Sequence, residues 1–338
     1  KHTFEPSDYF KLGRSRDYSS WDNYPDWKGD DRDRATCELA SFRHDLMRGV
    51  CDQRPFLMME SCPGAVNWME HNSLRAPGTV LFQGLQAIAQ GSDSVQYFQF
   101  RAGRGGSEQF HGAIIERSGR DDTRTFREVA EVGQALKQLA PVAGSVMRNR
   151  VGLVYDWESR WAVEGAWMLH RYHQKYEETL VTHHSAFCGA GYGVDMIDQL
   201  SDLSRYKVVS APMSFLLREG FSERIASFVR EGGTFVATYA DGYVNPDGLT
   251  FYGDEPKLFR DVVGVRPEEI DGFDEGRPNR FTWNGKTYSI KEVAELSHPA
   301  SDTEVLSVYE QQFYAGMPVL TKHAYGKGLC YYIAARTD

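Results

Sequence analysis

The chain has 338 residues, 41% of them hydrophobic, and a formal net charge of −9. That length suits two domains of about 150 residues, each able to bury a core. The acidic balance excludes partners that attract basic patches, namely nucleic-acid backbones and anionic membrane surfaces. No apolar run reaches the roughly 18 residues that a membrane-spanning helix needs. The opening KHTFEPSDYFKLGRS lacks an apolar signal core and starts abruptly, as if cut from a longer chain. Five scattered cysteines, Cys37, Cys51, Cys62, Cys188 and Cys330, form no CxxC pair. They predict buried free thiols in a reducing, cytoplasmic setting, not a disulfide framework or a zinc knuckle. Aromatic residues reach 13%; flat rings line sugar-binding clefts and fill large cores alike.

In chain order, DYSSWDNY (17–24) is β-prone and stops at Pro25, which predicts a strand. Ala35, Leu39, Phe42, Leu46 and Val50 then recur at helical spacing. PFLMME (55–60) reads as a buried strand ending in a carboxylate, and TVLFQGLQAIAQ (79–90) as a helix entered after Pro77-Gly78. SVQYFQF (94–100) predicts a third strand, followed by the glycine-rich loop RAGRGGSEQFHG. An amphipathic helix over 123–139 carries Phe126, Val129, Val132, Leu136 and Leu139 on one side. Strand and helix alternate, which indicates a parallel α/β arrangement with its site at the carboxyl ends of the strands. Three strands before residue 140 are too few for a closed eight-stranded barrel, which typically takes about 250 residues.

A second unit follows, giving domains 1–148 and 149–338. VGLVYDW reads as a strand and precedes a long helical region ending near His184. VDMID (194–198), YKVVSAP (206–212) and TFVATYA (234–240) are further strands, with a helix over about 221–231 closed by Gly232-Gly233. Residues 241–303 read as loop-rich. PVLTKHAYGKGLCYYIAA predicts two strands joined at Tyr325-Gly-Lys-Gly328.

Several residue sets carry candidate chemistry. Glu60, directly after an apolar strand, is desolvated on one side and open to a cleft on the other, which suits a nucleophile or general acid; a turn-capping role before Cys62-Pro63 is the competing reading. Trp68 either stacks on a sugar face or fills the core. Glu108 and His111, in SEQFH after a glycine turn, suit a clamp for hydroxyl groups, two metal ligands, or a solvated loop pair. Trp21, Asp22 and Tyr24 either line a cleft or pack beside the turn at Pro25. Arg101, Arg104, Gly105 and Gly106 have the look of an anion nest, but no GxxxxGKS/T or GxGxxG element follows a strand. His170, His173 and the His183-His184 pair read as helical surface or capping residues. Cys188 in AFCGAGYG resembles a nucleophile on a tight turn, although neither His298 nor His323 has a supporting spacing.

Taken in order, these segments resemble glycoside hydrolase family 42. FEPSDYFKLGRSRDYSSWDNYP is similar to the stretch through the sixth barrel strand, and PFLMMESCPGAVNW to the seventh strand with its glutamate. NSLRAPGTVLFQGLQAIAQGSDSVQYFQFRAGRGGSEQFHGAII is similar to the next helix, the eighth strand and its galactose-contacting loop. TFREVAEVGQAL, VGLVYDWESRWA, YKVVSAP, GGTFVATYADG and YGKGLCYYIAARTD resemble parts of the later domain. The resemblance implies the C-terminal portion of a (β/α)8 barrel, followed by a flavodoxin-like or amidotransferase-like α/β domain that makes trimers. It implies a retaining β-galactosidase acting on β-galactosides as a homotrimer, with no cofactor. Glu60 would be its nucleophile, Trp68 a galactose-site aromatic, and Glu108 with His111 hydroxyl-binding residues; Tyr24 and Asp22 would line the site.

The chain departs from the family pattern in one respect. The family's acid/base glutamate follows an asparagine on the fourth barrel strand, and no Asn-Glu pair occurs here. The zinc-binding cysteine cluster of some members also lies upstream, so no metal is expected. Incomplete pairing of barrel strands predicts a chain of low stability by itself, prone to association. Two rivals remain at this level: an assembly or sugar-binding unit without turnover, and an amidotransferase-like enzyme using Cys188. Galactoside and arabinopyranoside substrates are not distinguished.

Overall fold

A computed structural model describes residues 6–171, 174–274 and 276–337. His173 and the extreme ends of the first and last family-like segments fall outside them. The chain divides into two compact units, Lys1–Arg148 and Asn149–Asp338.

The first unit runs α1 (Tyr9–Gly13), β1 (Ser20–Asp22), α2 (Asp33–Val50), β2 (Phe56–Glu60), α3 (Thr79–Ala89), β3 (Ser92–Val95) and α4 (Arg124–Leu139). Asp8 caps α1 by accepting from the Lys11 amide, and Thr123 caps α4 by accepting from Phe126. In α2, Phe42, Leu46 and Val50 are buried, as their spacing predicts. In β2, Phe56 and Met58 are buried while Leu57 and Met59 are not, the two-residue alternation of a strand with one covered face. α3 buries Val80, Gln83, Gly84 and Ala87, a single helical stripe. The sheet is β1-β2-β3, parallel throughout, with Asp22 in register with Glu60 and Phe56 with Ser92. It corresponds to the expected barrel portion.

Three expectations for this unit need correction. The first strand is confined to Ser20–Asp22, so Tyr24 lies beyond it. The third starts at Ser92 and ends at Val95, well before Phe100. Past the Met58–Val95 pair the link to β2 persists only as separate bonds, such as that from the Gln96 amide to the Met58 carbonyl. The Phe98 amide turns to the Ser61 carbonyl, and residues 99–102 bond to 112–115. Finally, the apolar side of α4 is only partly covered: Val132 is buried, whereas Phe126, Val129, Leu136 and Leu139 are half-buried.

The second unit contains β4 (Val151–Val154), α5 (Trp157–Gly165), α6 (Tyr176–Gly189), β5 (Val194–Ile197), β6 (Val208–Ser210), α7 (Phe221–Arg230), β7 (Thr234–Thr238) and α8 (Lys257–Val263). It continues with β8 (Val265–Gly272), β9 (Arg280–Trp283), β10 (Lys286–Pro299), β11 (Glu304–Val308), β12 (Pro318–Tyr325), β13 (Gly328–Ile333) and β14 (Ala335–Thr337). A seven-stranded sheet has the order β11-β12-β13-β7-β6-β4-β5. From β13 to β5 it is parallel, the doubly wound order of flavodoxin-like folds. β4 and β5 are buried at every residue; the one charge among them, Asp195 in β5, is met by Asn149, Tyr206 and Arg205. α7 and α8 pack on the sheet through Phe221, Ile225, Val229, Phe259 and Val262.

Here too the structure corrects the sequence. The long helical region is two helices, interrupted where Trp167 and Lys175 take positive φ angles that a helix forbids. His170 lies in that interruption, not in a helix. The loop-rich 241–303 holds α8 and the strands β8, β9 and β10, which with β14 from the end of the chain form a separate antiparallel sheet of order β14-β10-β8, β9 pairing with β10. Its strands escape an apolar pattern because they read VRPEEIDG and KTYSIKEVAELSHP. The buried Glu295 within β10 is satisfied by the Ala240 amide and by the hydroxyls of Tyr243 and Tyr332. Nor are all thiols buried: Cys188 is exposed and Cys37 half-buried. Cys188 lies in the last turn of α6 instead of on a tight turn, while His298 engages Glu268 and His323 the Val262 carbonyl. Among the described residues, no helix is long and apolar enough to cross a membrane.

Candidate active site

The carboxyl ends of β1, β2 and β3 converge on one side of the first unit. Glu60 is the last residue of β2, where the alternation that buries Met58 brings its neighbour out of the sheet. Its backbone carbonyl accepts from the Asn23 amide at 2.8 Å. Its Oε2 accepts from the Tyr24 hydroxyl at 2.7 Å, a charge-assisted bond that fixes one oxygen and leaves the other available. Burial, with the Glu60 carboxylate beside it, pushes the Tyr24 phenol far up, so Tyr24 remains a hydrogen-bond donor at every ordinary pH. Asp22, opposite Glu60 in the ladder, has its carboxyl raised above the usual range by burial and by Glu60 itself.

Tyr24 joins three loops. Its ring meets Trp68 edge-on at 5.3 Å and His111 edge-on at 5.8 Å. Trp68, on the loop after β2, is 44% exposed and borders a cleft of about 330 Å³ also lined by Asp22 and Tyr24. His111, on the loop after β3, is 1% exposed. Its Nδ1 lies 3.1 Å from the Gly112 carbonyl, which can only accept, so in the neutral ring Nδ1 carries the proton and Nε2 the lone pair. That Nε2 is buried and has no partner among the described residues. The Cys62 thiol backs the imidazole at 3.5 Å, and burial raises its pKa, which favours the neutral thiol.

The two loops are stapled together. The Gly112 amide donates to the Ala65 carbonyl at 2.8 Å, and the Asn67 amide group donates to the Ser107 carbonyl at 2.7 Å. A Cβ on Gly112 would sit 2.8 Å from the Gly64 Cα, so only glycine permits this approach.

Glu60, Tyr24, Trp68 and His111 are therefore brought together, with Asp22 beside them. Glu108 is exposed, its carboxylate has no partner among the described residues, and its carbonyl accepts from the His111 amide at 3.0 Å. Sequence reasoning missed Asn23, Cys62, Arg75 and Gln83, which surround these groups. No motif marks them, because each acts through contacts made across the fold.

Comparison with known proteins decides the family. Residues 149–338 match the family model described as β-galactosidase trimerisation domain, and residues 1–139 the one described as β-galactosidase. The chain belongs to glycoside hydrolase family 42. It is 40% identical to β-galactosidase Pbg of Clostridium perfringens, over 99% of this chain and 50% of that protein. To β-galactosidase BglY of Alicyclobacillus acidocaldarius it is 38% identical, over the same shares. A crystal structure of a β-galactosidase from Rahnella sp. R3 superposes with a TM-score of 0.96 at 42% identity, covering 99% of this chain and 50% of that one. The chain thus spans about half the length of the family 42 relatives it matches.

Proposed function

We propose that this family 42 chain carries the nucleophile half of a retaining β-galactosidase, with Glu60 as the nucleophile. The observation that supports it is the meeting of Glu60, Tyr24, Trp68 and His111 at the carboxyl ends of parallel strands. One Glu60 oxygen is tethered by Tyr24, and the other attacks the anomeric carbon. The glycosidic C–O bond breaks as the bond to Glu60 forms, and the leaving oxygen takes a proton from a second carboxyl group. Water, deprotonated by that second group, then displaces Glu60. Retaining enzymes keep the two carboxyls about 5–5.5 Å apart. The acid/base belongs to the half of the relatives' length that this chain does not span. Trp68 supplies a flat apolar face for the sugar ring. His111 Nε2, without a partner among the described residues, is assigned the role of acceptor from one sugar hydroxyl, and the exposed Glu108 carboxylate from another. The second unit assembles the protein as a trimer, in keeping with the trimerisation-domain match.

The test uses a chromogenic β-galactoside and the full-length protein. Glu60→Gln is expected to lower kcat by at least about a thousandfold while the protein stays folded. A 2-fluoro galactoside with a good leaving group should leave a sugar covalently attached to the peptide containing Glu60, read by mass spectrometry. Retained turnover in Glu60→Gln, or a label elsewhere, overturns the assignment. A folded trimer that binds galactose without turnover would mean an assembly or sugar-binding role.

A further inference from the structure

We infer that Gln83 and Arg75 are positioning residues that hold Tyr24 and Glu60 in their mutual geometry, an inference that rests on Glu60 being the nucleophile. Gln83 lies on the buried stripe of α3 and is 2% exposed. Its amide nitrogen donates to the Asn23 carbonyl at 3.2 Å and to the Ser61 hydroxyl at 2.7 Å. Its amide oxygen accepts from Trp27 Nε1 at 3.3 Å and from Arg75 Nη1 at 2.5 Å. All four hydrogen-bonding positions of the side chain are thereby used. The orientation is unambiguous, since the Asn23 carbonyl only accepts and the Trp27 and Arg75 nitrogens only donate.

The two residues that Gln83 grips are telling. Asn23 immediately precedes Tyr24, and Ser61 immediately follows Glu60. One side chain thus ties the backbone beside the donor to the backbone beside the acceptor of the 2.7 Å bond. Arg75 extends the tie: its Nε donates to the Gly64 carbonyl at 3.1 Å, in the loop that carries Cys62 and Trp68. Arg75 is 4% exposed, and among the described residues its hydrogen bonds run to the Gln83 amide oxygen and the Gly64 carbonyl, neither of them a carboxylate. A buried guanidinium without an anionic partner is a costly way to stabilise a fold. Its gain is two charge-assisted bonds of fixed direction, which hold the Gln83 oxygen and the Gly64 carbonyl in place. Misplacing a reacting group by about 1 Å costs on the order of a hundredfold in rate, which is the scale on which this hub acts.

The experiment is a double-mutant cycle in the full-length protein with a chromogenic β-galactoside. Gln83→Leu keeps the side-chain volume and removes all four bonds. It is expected to lower kcat about 10- to 100-fold, with KM changed less than about threefold. Combined with Tyr24→Phe it should add almost nothing to the loss from Tyr24→Phe alone, because both act on the same bond. Ser61→Ala removes only the hydroxyl contact and serves if Gln83→Leu does not fold. It is expected to slow kcat about 3- to 10-fold and to be equally non-additive with Tyr24→Phe. Losses that multiply with that of Tyr24→Phe, or an unchanged kcat in Gln83→Leu, would overturn the inference and leave a structural role. If Glu60→Gln retains activity in the same assays, the nucleophile assignment falls and takes this inference with it. An inactive Glu60→Gln with a multiplicative Gln83→Leu sinks the inference alone.

Discussion

A single hydroxyl organises the site at the residue scale. Tyr24 donates to Glu60 while its ring braces Trp68 and His111, so one side chain sets three others. The second unit has a residue-scale device of another kind in Asp156. Its side chain caps α5 by accepting from the Ser159 amide, yet burial raises its carboxyl to about 6 from an ordinary 3.8, only partly offset by that bond and by Arg218. An acid raised in the fold contributes its full stability below the unfolded value and loses it as pH climbs through the folded one. Relative to Asp156→Asn, which keeps the cap, the wild-type chain should therefore lose on the order of 3 kcal/mol between about pH 4 and pH 8. Denaturant midpoints of both proteins at the two pH values measure this; a constant difference would contradict it. Glu60 at a strand end was legible in the sequence, because it closes the continuous apolar run FLMM (56–59). Asn23 and Gln83 were not, because a buried amide looks the same in sequence whether it caps a turn or ties two loops.

At the element scale, the site depends on the loops after β2 and β3 touching. Gly112 is the contact point, and a side chain there meets the Gly64 and Ala65 backbone, which has no flexible end to yield. Gly112→Val is expected to cost about 1–3 kcal/mol of stability and to raise KM, since His111 and Trp68 would separate. Calorimetry together with Michaelis kinetics checks both, and a variant with unchanged melting and KM would refute the staple. The same loops show why SVQYFQF misled. Its β-prone aromatic residues read as strand to Phe100, but the regular ladder ends at the Met58–Val95 pair, and residues 99–102 bond instead to 112–115. Strand propensity reports a side-chain preference; a neighbouring ladder decides whether it is used.

Across the whole molecule, two observations bear on association. The trimerisation-domain match concerns residues 149–338. Separately, among the described residues β1 and β3 are each paired on one side only, and an apolar groove of about 550 Å³ runs between α3 and α4, lined by Leu85, Ile88, Leu136 and Leu139. Open edges and apolar grooves both seek partners. The 338 residues alone should thus form heterogeneous, concentration-dependent species, whereas the full-length protein should give one discrete trimeric mass. Light scattering over a dilution series separates the two. A monodisperse, cooperatively melting species from the 338 residues alone would show that the edges are harmless.

The alternation of strand and helix, the division near residue 149 and the family were all legible in the sequence alone. These are local or ordered signals: periodicity in Phe42, Leu46 and Val50, a carboxylate after an apolar strand, and motifs in a fixed sequence. Only the tertiary structure decided that Tyr24 reaches Glu60, that β8 and β10 form a sheet despite their charges, and that Gln83 joins Asn23 to Ser61. The reason is physical. Each of these rests on polar groups satisfied by partners dozens of residues away, and nothing in the local pattern of a polar side chain says which distant donor or acceptor will be its own.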